Sequence, residues 1–204
     1  QLIAPVYRRY TNPATTILAA PGDVQIHLRA RCESGGEAGA LLDELGGAIE
    51  ALLGDRIYSR DGAPLESVVG AALRAAGATL SVAESCTGGL LGHRITEVPG
   101  SSDYFLGGFV VYSNRLKTEL LGVPEQVLAG HGAVSEPVAE AMALGARERT
   151  GSTYALSITG VAGPGGGSEA KPVGTVVIGV AGSGRCTTQR FHFLGDRARV
   201  RSLS

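Results

Sequence analysis

A chain of 204 residues, 44% of them apolar, is long enough for one large or two small domains with a real core, so wholesale disorder is excluded. Its formal net charge of −1 comes from basic and acidic residues scattered along the chain, which argues against nucleic-acid or anionic-membrane binding driven by bulk charge. No run approaches the ~20 apolar residues of a membrane span, and three cysteines, Cys32, Cys86 and Cys186, odd in number and without metal-ligand spacing, read as reduced thiols of a cytoplasmic protein.

The first ~60 residues read as a small α+β unit. Residues 15–18 and 24–30 have strand character, the second through alternation of Val24, Ile26, Leu28 and Ala30. Pro21-Gly22-Asp23 between them has turn chemistry. Gly35-Gly36 ends this stretch, and Leu41, Leu42, Leu45, Ile49, Leu52 and Leu53 follow helical spacing up to Gly54. Residues 56–59 suggest a third short strand, and Asp61-Gly62-Ala63-Pro64 a linker. These signals divide the chain into 1–62 and 63–204.

Beyond the linker, helices and strands alternate. Helices are expected over 65–76, 89–96, 115–121 and 135–149, and strands over 78–83, 105–112, 154–159, 173–180 and 187–193. Ser135 stands where a cap is wanted, and Pro137 is tolerated in a first turn. Such alternation predicts a sheet covered on both faces by helices. Residues 197–204 begin a helix that looks cut short, and the chain starts at Gln1 rather than Met, so it reads as part of something longer.

Three segments have chemical potential. Glu84-Ser85-Cys86-Thr87-Gly88-Gly89 follows a buried strand and opens a helix, the place where open α/β sheets put ligands. There Ser85 is a candidate nucleophile, and Thr87, Gly88 and Gly89 offer backbone N–H groups to an oxyanion or phosphate. Equally, Ser85 or Thr87 can be a plain helix cap. Tyr112-Ser113-Asn114-Arg115-Leu116-Lys117 closes the next strand. Asn114 as N-cap would place Lys117 in a first helical turn, where a cation is disfavoured and a neutral lysine can serve as base to a serine. A surface lysine is the plainer reading. The third segment, Thr159-Gly160-Val161-Ala162-Gly163-Pro164-Gly165-Gly166-Gly167-Ser168, is a loop able to wrap a phosphate, but it lacks the Walker and Rossmann signatures of ATP and NAD sites. His27, His93, His131 and His192 have no paired spacing, and only His131, between two glycines, stays a minor candidate for a Ser-His-Asp arrangement. No cofactor and no metal site is indicated.

Together with Pro99-Gly100-Ser101-Ser102, Gly132-Ala133-Val134-Ser135-Glu136-Pro137, Lys171-Pro172-Val173-Gly174-Thr175 and Gly195-Asp196-Arg197, these segments resemble the C-terminal domain of the CinA family, the nicotinamide-nucleotide amidase module. They occur in family order over most of residues 66–197. The resemblance implies a three-layer αβα amidase domain with a mixed or parallel sheet, preceded by a small α+β KH-like domain. It implies hydrolysis of the carboxamide of nicotinamide mononucleotide to nicotinate mononucleotide and ammonia, in pyridine-nucleotide salvage. Carried over residue by residue, the catalytic set is Ser85, Lys117 and Tyr112, without a metal. Thr87, Gly88, Gly89, Thr159, Gly160, Gly163, Gly165 and Arg197 are left to hold the nucleotide and its phosphate. It further implies a homodimer, and a preceding molybdopterin-binding-like domain whose activity does not belong to these residues.

Two competing readings remain at this level. One is a non-catalytic nucleotide-binding or interaction module linked to competence and recombination, which binds without turnover. The other is a single-stranded nucleic-acid binder working through the N-terminal unit. Against the latter stand the near-zero charge and the lack of a Gly-x-x-Gly clamp in residues 1–62.

Overall fold

The computed structural model describes residues 2–20, 22–182 and 184–204. They form two compact units, 1–68 and 69–204.

In the first unit a short helix α1 (Ala4–Tyr7) leads into an antiparallel hairpin of β1 (Ala14–Ala20) and β2 (Asp23–Arg29), followed by the long helix α2 (Gly35–Leu53). Ile3, Leu45 and Ile49 form its buried core, with Ile26 and Leu28 of β2 packed against them. Val24 belongs to the same alternation but is exposed, because it stands at the turn end of the hairpin. The turn expected at 21–23 includes Pro21, which lies outside the described residues. Two expectations need correction. Gly35-Gly36 does not end a segment but opens α2: Ser34 accepts from the Glu37 N–H at 3.2 Å, the S-x-x-E cap of a helix start. Residues 56–59 are not a strand, since 54–56 form one turn of 3-10 helix that continues α2.

The second unit carries a five-stranded sheet in the order β4-β3-β5-β6-β7. Its strands are β3 (Leu80–Glu84), β4 (Phe105–Val110), β5 (Tyr154–Gly160), β6 (Thr175–Gly182) and β7 (Arg185–His192). Its helices are α3 (Leu65–Ala75), α4 (Leu90–Thr96), α5 (Asn114–Leu121), α6 (Glu125–His131), α7 (Glu136–Thr150) and α8 (Arg197–Leu203). Of these, α3 begins in the first unit, whose boundary with the second falls within it. The sheet is mixed for a reason of chain length. Parallel strands need a helical crossover, which α4 supplies between β3 and β4, and α5–α7 between β4 and β5. The remaining two connections carry no helix, so β6 and β7 run antiparallel to their neighbours.

All five residues of β3 are buried, as befits a strand covered on both faces. On one face Ala83, Ala155 and Ala181 meet Val138, Met142, Ala143 and Ala146 of α7, together with Leu121 and Val123. Gly145 lets α7 approach closely there, for a Cβ at that position would overlap the Leu121 carbonyl. On the other face, Leu80 and Val82 pack with Leu73 and Ile95, while Ile158 and Val176 pack with Val200 of α8. The result is the αβα layering expected from sequence. No helix among the described residues is long and apolar enough to cross a membrane.

Candidate functional site

The carboxyl ends of the parallel strands β3, β4 and β5 lie along one edge of the sheet, and all three sequence-selected segments leave from it. Ladder bonds extend past the strand ends. Ser85 N–H donates to the Ile158 carbonyl at 2.9 Å, and Val111 N–H donates to the Glu84 carbonyl at 2.8 Å. Ser85 is thereby held from both sides at the point where β3 stops.

Lys117 reaches it from α5. The helix is capped by Ser113 rather than Asn114, through acceptance of the Leu116 N–H at 3.2 Å, so Lys117 sits one residue deeper than a first-turn position. Its side chain is 1% exposed and points back over the helix start. There Nζ lies 3.0 Å from Ser85 Oγ, donates to the Val111 carbonyl at 2.8 Å, and lies 3.5 Å from the Tyr112 carbonyl. Burial pushes the Lys117 amine below its ordinary lysine range, with the neighbouring Cys86 acting weakly in the other direction. The plain surface-lysine reading is therefore replaced by a buried amine in contact with a hydroxyl.

Cys86, the next residue, lies in an apolar setting. Its thiol is buried with Ile158, Ala162, Val176 and Val200, and burial pushes it up to about 11. The thiolate-favouring influence of a helix start does not prevail here, because desolvation outweighs it. Thr87 is buried too, and its hydroxyl has no hydrogen-bond partner.

The backbone donors of the helix start have internal partners. Buried Glu84 turns its carboxylate onto α4: Oε2 accepts from Gly89 N–H at 3.0 Å and Leu91 N–H at 3.1 Å, and Oε1 from Gly92 N–H at 2.8 Å. Gly88 N–H donates to the Ser85 carbonyl at 3.2 Å. An oxyanion site built from Gly88 and Gly89, as the sequence suggested, is thus occupied by the protein's own acceptors. Gly89, at φ +97°, serves instead as the left-handed hinge between turn and helix. Glu84 itself was not singled out from sequence. The signal was present as a carboxylate just before a Gly-Gly helix start, where a cap is needed.

Tyr112, also selected, is 59% exposed, and its hydroxyl accepts from Arg197 Nη2 at 3.0 Å. Only its main-chain carbonyl approaches Lys117. Arg197 donates through Nη1 to the Gly163 carbonyl at 2.7 Å, so the Tyr112 ring, Arg197 and the glycine-rich loop converge beside the Ser85–Lys117 pair. That loop is tied down at its far end, where Lys171 donates to the His131 carbonyl at 2.6 Å. Thr159 spends its hydroxyl on the Ala133 carbonyl at 2.8 Å. A Cβ at Gly160 would crowd Val176, the Thr175 carbonyl and Cys86, while one at exposed Gly165 would meet nothing. The contact made by His131 is through its backbone carbonyl, and among the described residues no hydrogen bond joins its ring to a serine or a carboxylate. Among the described residues no cluster of His, Cys, Asp or Glu is placed to hold a metal.

A mixed αβα sheet with a buried serine–lysine pair at its strand ends defines the class. Residues 62–204 match the family described as the CinA C-terminal domain, and the chain belongs to the CinA family. It is 61% identical over 203 residues to a CinA-like protein of Solibacter usitatus, covering all of this chain and 49% of that protein. With a CinA-like protein of Koribacter versatilis the identity is 50% over 199 residues, covering 98% of this chain and 48% of the relative. The chain thus spans about half the length of these curated relatives. Among solved structures, a competence-damaged protein (CinA) superfamily protein from Escherichia coli superposes with a TM-score of 0.67 at 34% identity, over 74% of this chain and 91% of that one. The competence/damage inducible protein CihA from Agrobacterium tumefaciens gives 0.66 at 37% identity, over 71% and 89%.

Proposed function

We propose that this domain is an amidohydrolase that removes ammonia from the carboxamide of nicotinamide mononucleotide, with Ser85 as nucleophile and Lys117 as base. The observation that carries this reading is the 3.0 Å separation of Lys117 Nζ and Ser85 Oγ in a buried setting. A neutral amine has two N–H donors and one lone pair. With the donors directed at the Val111 and Tyr112 carbonyls, the lone pair is left for the Ser85 hydroxyl. Burial favours that neutral form.

In this mechanism Ser85 Oγ attacks the carboxamide carbon and its proton passes to Lys117 Nζ. Collapse of the tetrahedral adduct breaks the C–N bond, and Lys117 returns the proton to the leaving ammonia. Water then attacks the acyl-serine with Lys117 again as base, releasing the carboxylate and regenerating Ser85. Since Gly88 and Gly89 have internal partners, oxyanion stabilisation in this reading falls to the main-chain N–H groups of Cys86 and Thr87, which in the free protein face the Cys86 sulfur. The exposed Tyr112 ring is a wall for the substrate, and Arg197, beside the glycine-rich loop, a partner for its phosphate. Residues 1–62 act as a KH-like connector.

Ammonia release from a panel of pyridine nucleotides tests the proposal. Ser85→Ala is expected to abolish turnover while retaining binding. Lys117→Met should cost kcat about 10²–10⁴-fold with little change in KM. Binding without turnover in the unmodified protein would favour the interaction-module reading.

A further inference from the structure

Helix α8 carries two arginines four residues apart, Arg197 and Arg201, which share one helix face. They reach different parts of the site. Arg197 bonds Tyr112 and the Gly163 carbonyl, whereas Arg201 Nη2 donates to the Thr87 carbonyl at 2.7 Å. Between them, fully buried Val200 enters the apolar cluster that holds Cys86, Ile158 and Val176. The helix is fixed at its start by Asp196, whose carboxylate accepts from Arg199 N–H at 2.8 Å. Thus α8 is docked against the back of the Ser85-Cys86-Thr87 turn, and Arg201 is the polar contact it makes there.

This contact adds an anchor on the α8 side to those the turn already has. Ser85 N–H is bonded to Ile158, and Gly88 N–H closes back on the Ser85 carbonyl. The Thr87 side chain contributes no hydrogen bond, its hydroxyl being buried and unpartnered, and Arg201 Nε is likewise buried without a partner. The guanidinium was therefore not placed to satisfy its own donors evenly. It is spent on one carbonyl, two residues after Ser85.

Resting on the Ser85–Lys117 reading, we propose that Arg201 is a positioning residue of this site: its bond to the Thr87 carbonyl sets the nucleophile turn so that Ser85 Oγ stays within reach of Lys117 Nζ. A base must lie within about 2.6–3.2 Å of the hydroxyl oxygen whose proton it takes, and a displacement of ~1 Å can cost about 100-fold in rate. Arg201 also sets a positive charge beside the turn, which favours an anionic adduct on Ser85.

The test pairs steady-state ammonia release with the rate at which a small alkyl fluorophosphonate phosphonylates Ser85. Arg201→Met should lower kcat about 10- to 100-fold with KM nearly unchanged, and should slow phosphonylation in parallel. Arg201→Lys, able to donate one bond to the same carbonyl, should recover most of both, and Arg197→Met should instead raise KM. Should Arg201→Met not fold, Arg201→Gln, too short for the carbonyl and uncharged, takes its place. Unchanged kcat and phosphonylation in these variants, a rise in KM alone, or an Arg201→Lys variant as impaired as Arg201→Met overturns the proposal. A wild-type protein that neither phosphonylates at Ser85 nor releases ammonia overturns the Ser–Lys reading first, which is a distinguishable result.

Discussion

Burial of Lys117 makes the stability of the fold depend on pH. Burial depresses its folded-state pKa below the ordinary value, so between those two values the unfolded chain binds more protons than the folded one. Stability then rises with pH through that window and levels off once the unfolded lysine also loses its proton, near pH ~10.4. Cys86 has the opposite sign above about pH 9, because burial raises its thiol to about 11. We therefore expect that, in a Cys86→Ala background, the stability of the Lys117-containing protein relative to Lys117→Met increases as the pH rises toward ~10. Urea unfolding at several pH values measures this, and a difference independent of pH would mean that Lys117 titrates normally. Cys86→Ala should itself remain active, since the thiol is buried in the apolar cluster and burial keeps it protonated. The same variant series gives kcat/KM against pH, which should rise as Lys117 loses its proton.

At the scale of elements, the start of α4 shows how one side chain fixes a segment. Three N–H groups that a helix start leaves without partners all end on Glu84. Glu84→Gln keeps the shape but turns an amide NH₂ against at least one of those N–H groups. The expected loss is about 1–3 kcal/mol, the cost of leaving a buried donor unpaired. It should appear as a lower urea midpoint with an unchanged slope, and a neutral result would mean that α4 starts independently of Glu84. Local chemistry was legible at Ser34 and Glu37, whose spacing is that of a capping box, although Gly35-Gly36 between them reads at first as a break. It was ambiguous at Ser113-Asn114, since both residue types cap well and only the observed bond to Leu116 N–H decides between neighbours. Ser135 shows the same limit from the other side. It occupies the N-cap position of α7, but its hydroxyl donates to the Gly132 carbonyl instead of accepting from the helix.

For the whole molecule, the two compact units and the exposed segment at residues 60–62 lead to a proteolysis prediction. A low-specificity protease should cut first near residues 60–64 or in the exposed loop at 164–170, leaving the sheet strands intact. Mass spectrometry of the early fragments checks this, and cleavage within residues 80–84 ahead of those segments would contradict the division of the fold.

Much of the architecture was written in residue order. Alternating helix and strand periods and the glycines at the strand ends were sufficient for a sheet covered on both faces by helices, because periodicity and turn chemistry are local properties, while the CinA family came from the resemblance of the motif series from Ser85 to Arg197. The short helices α1 and α6 and the absence of a third strand at 56–59 escaped that reading, since segments this short depend on what they pack against. Tertiary structure alone decided the contacts of the site. Lys117 and Ser85 are 32 residues apart, and only the parallel pairing of β3 and β4 brings the start of α5 over the end of β3. The same fold assigned the Gly89 N–H to Glu84, the Tyr112 hydroxyl to Arg197 and the Thr87 carbonyl to Arg201. Which acceptor a donor finds, and whether an amine is buried enough to lose its charge, are set by distances between segments remote in sequence.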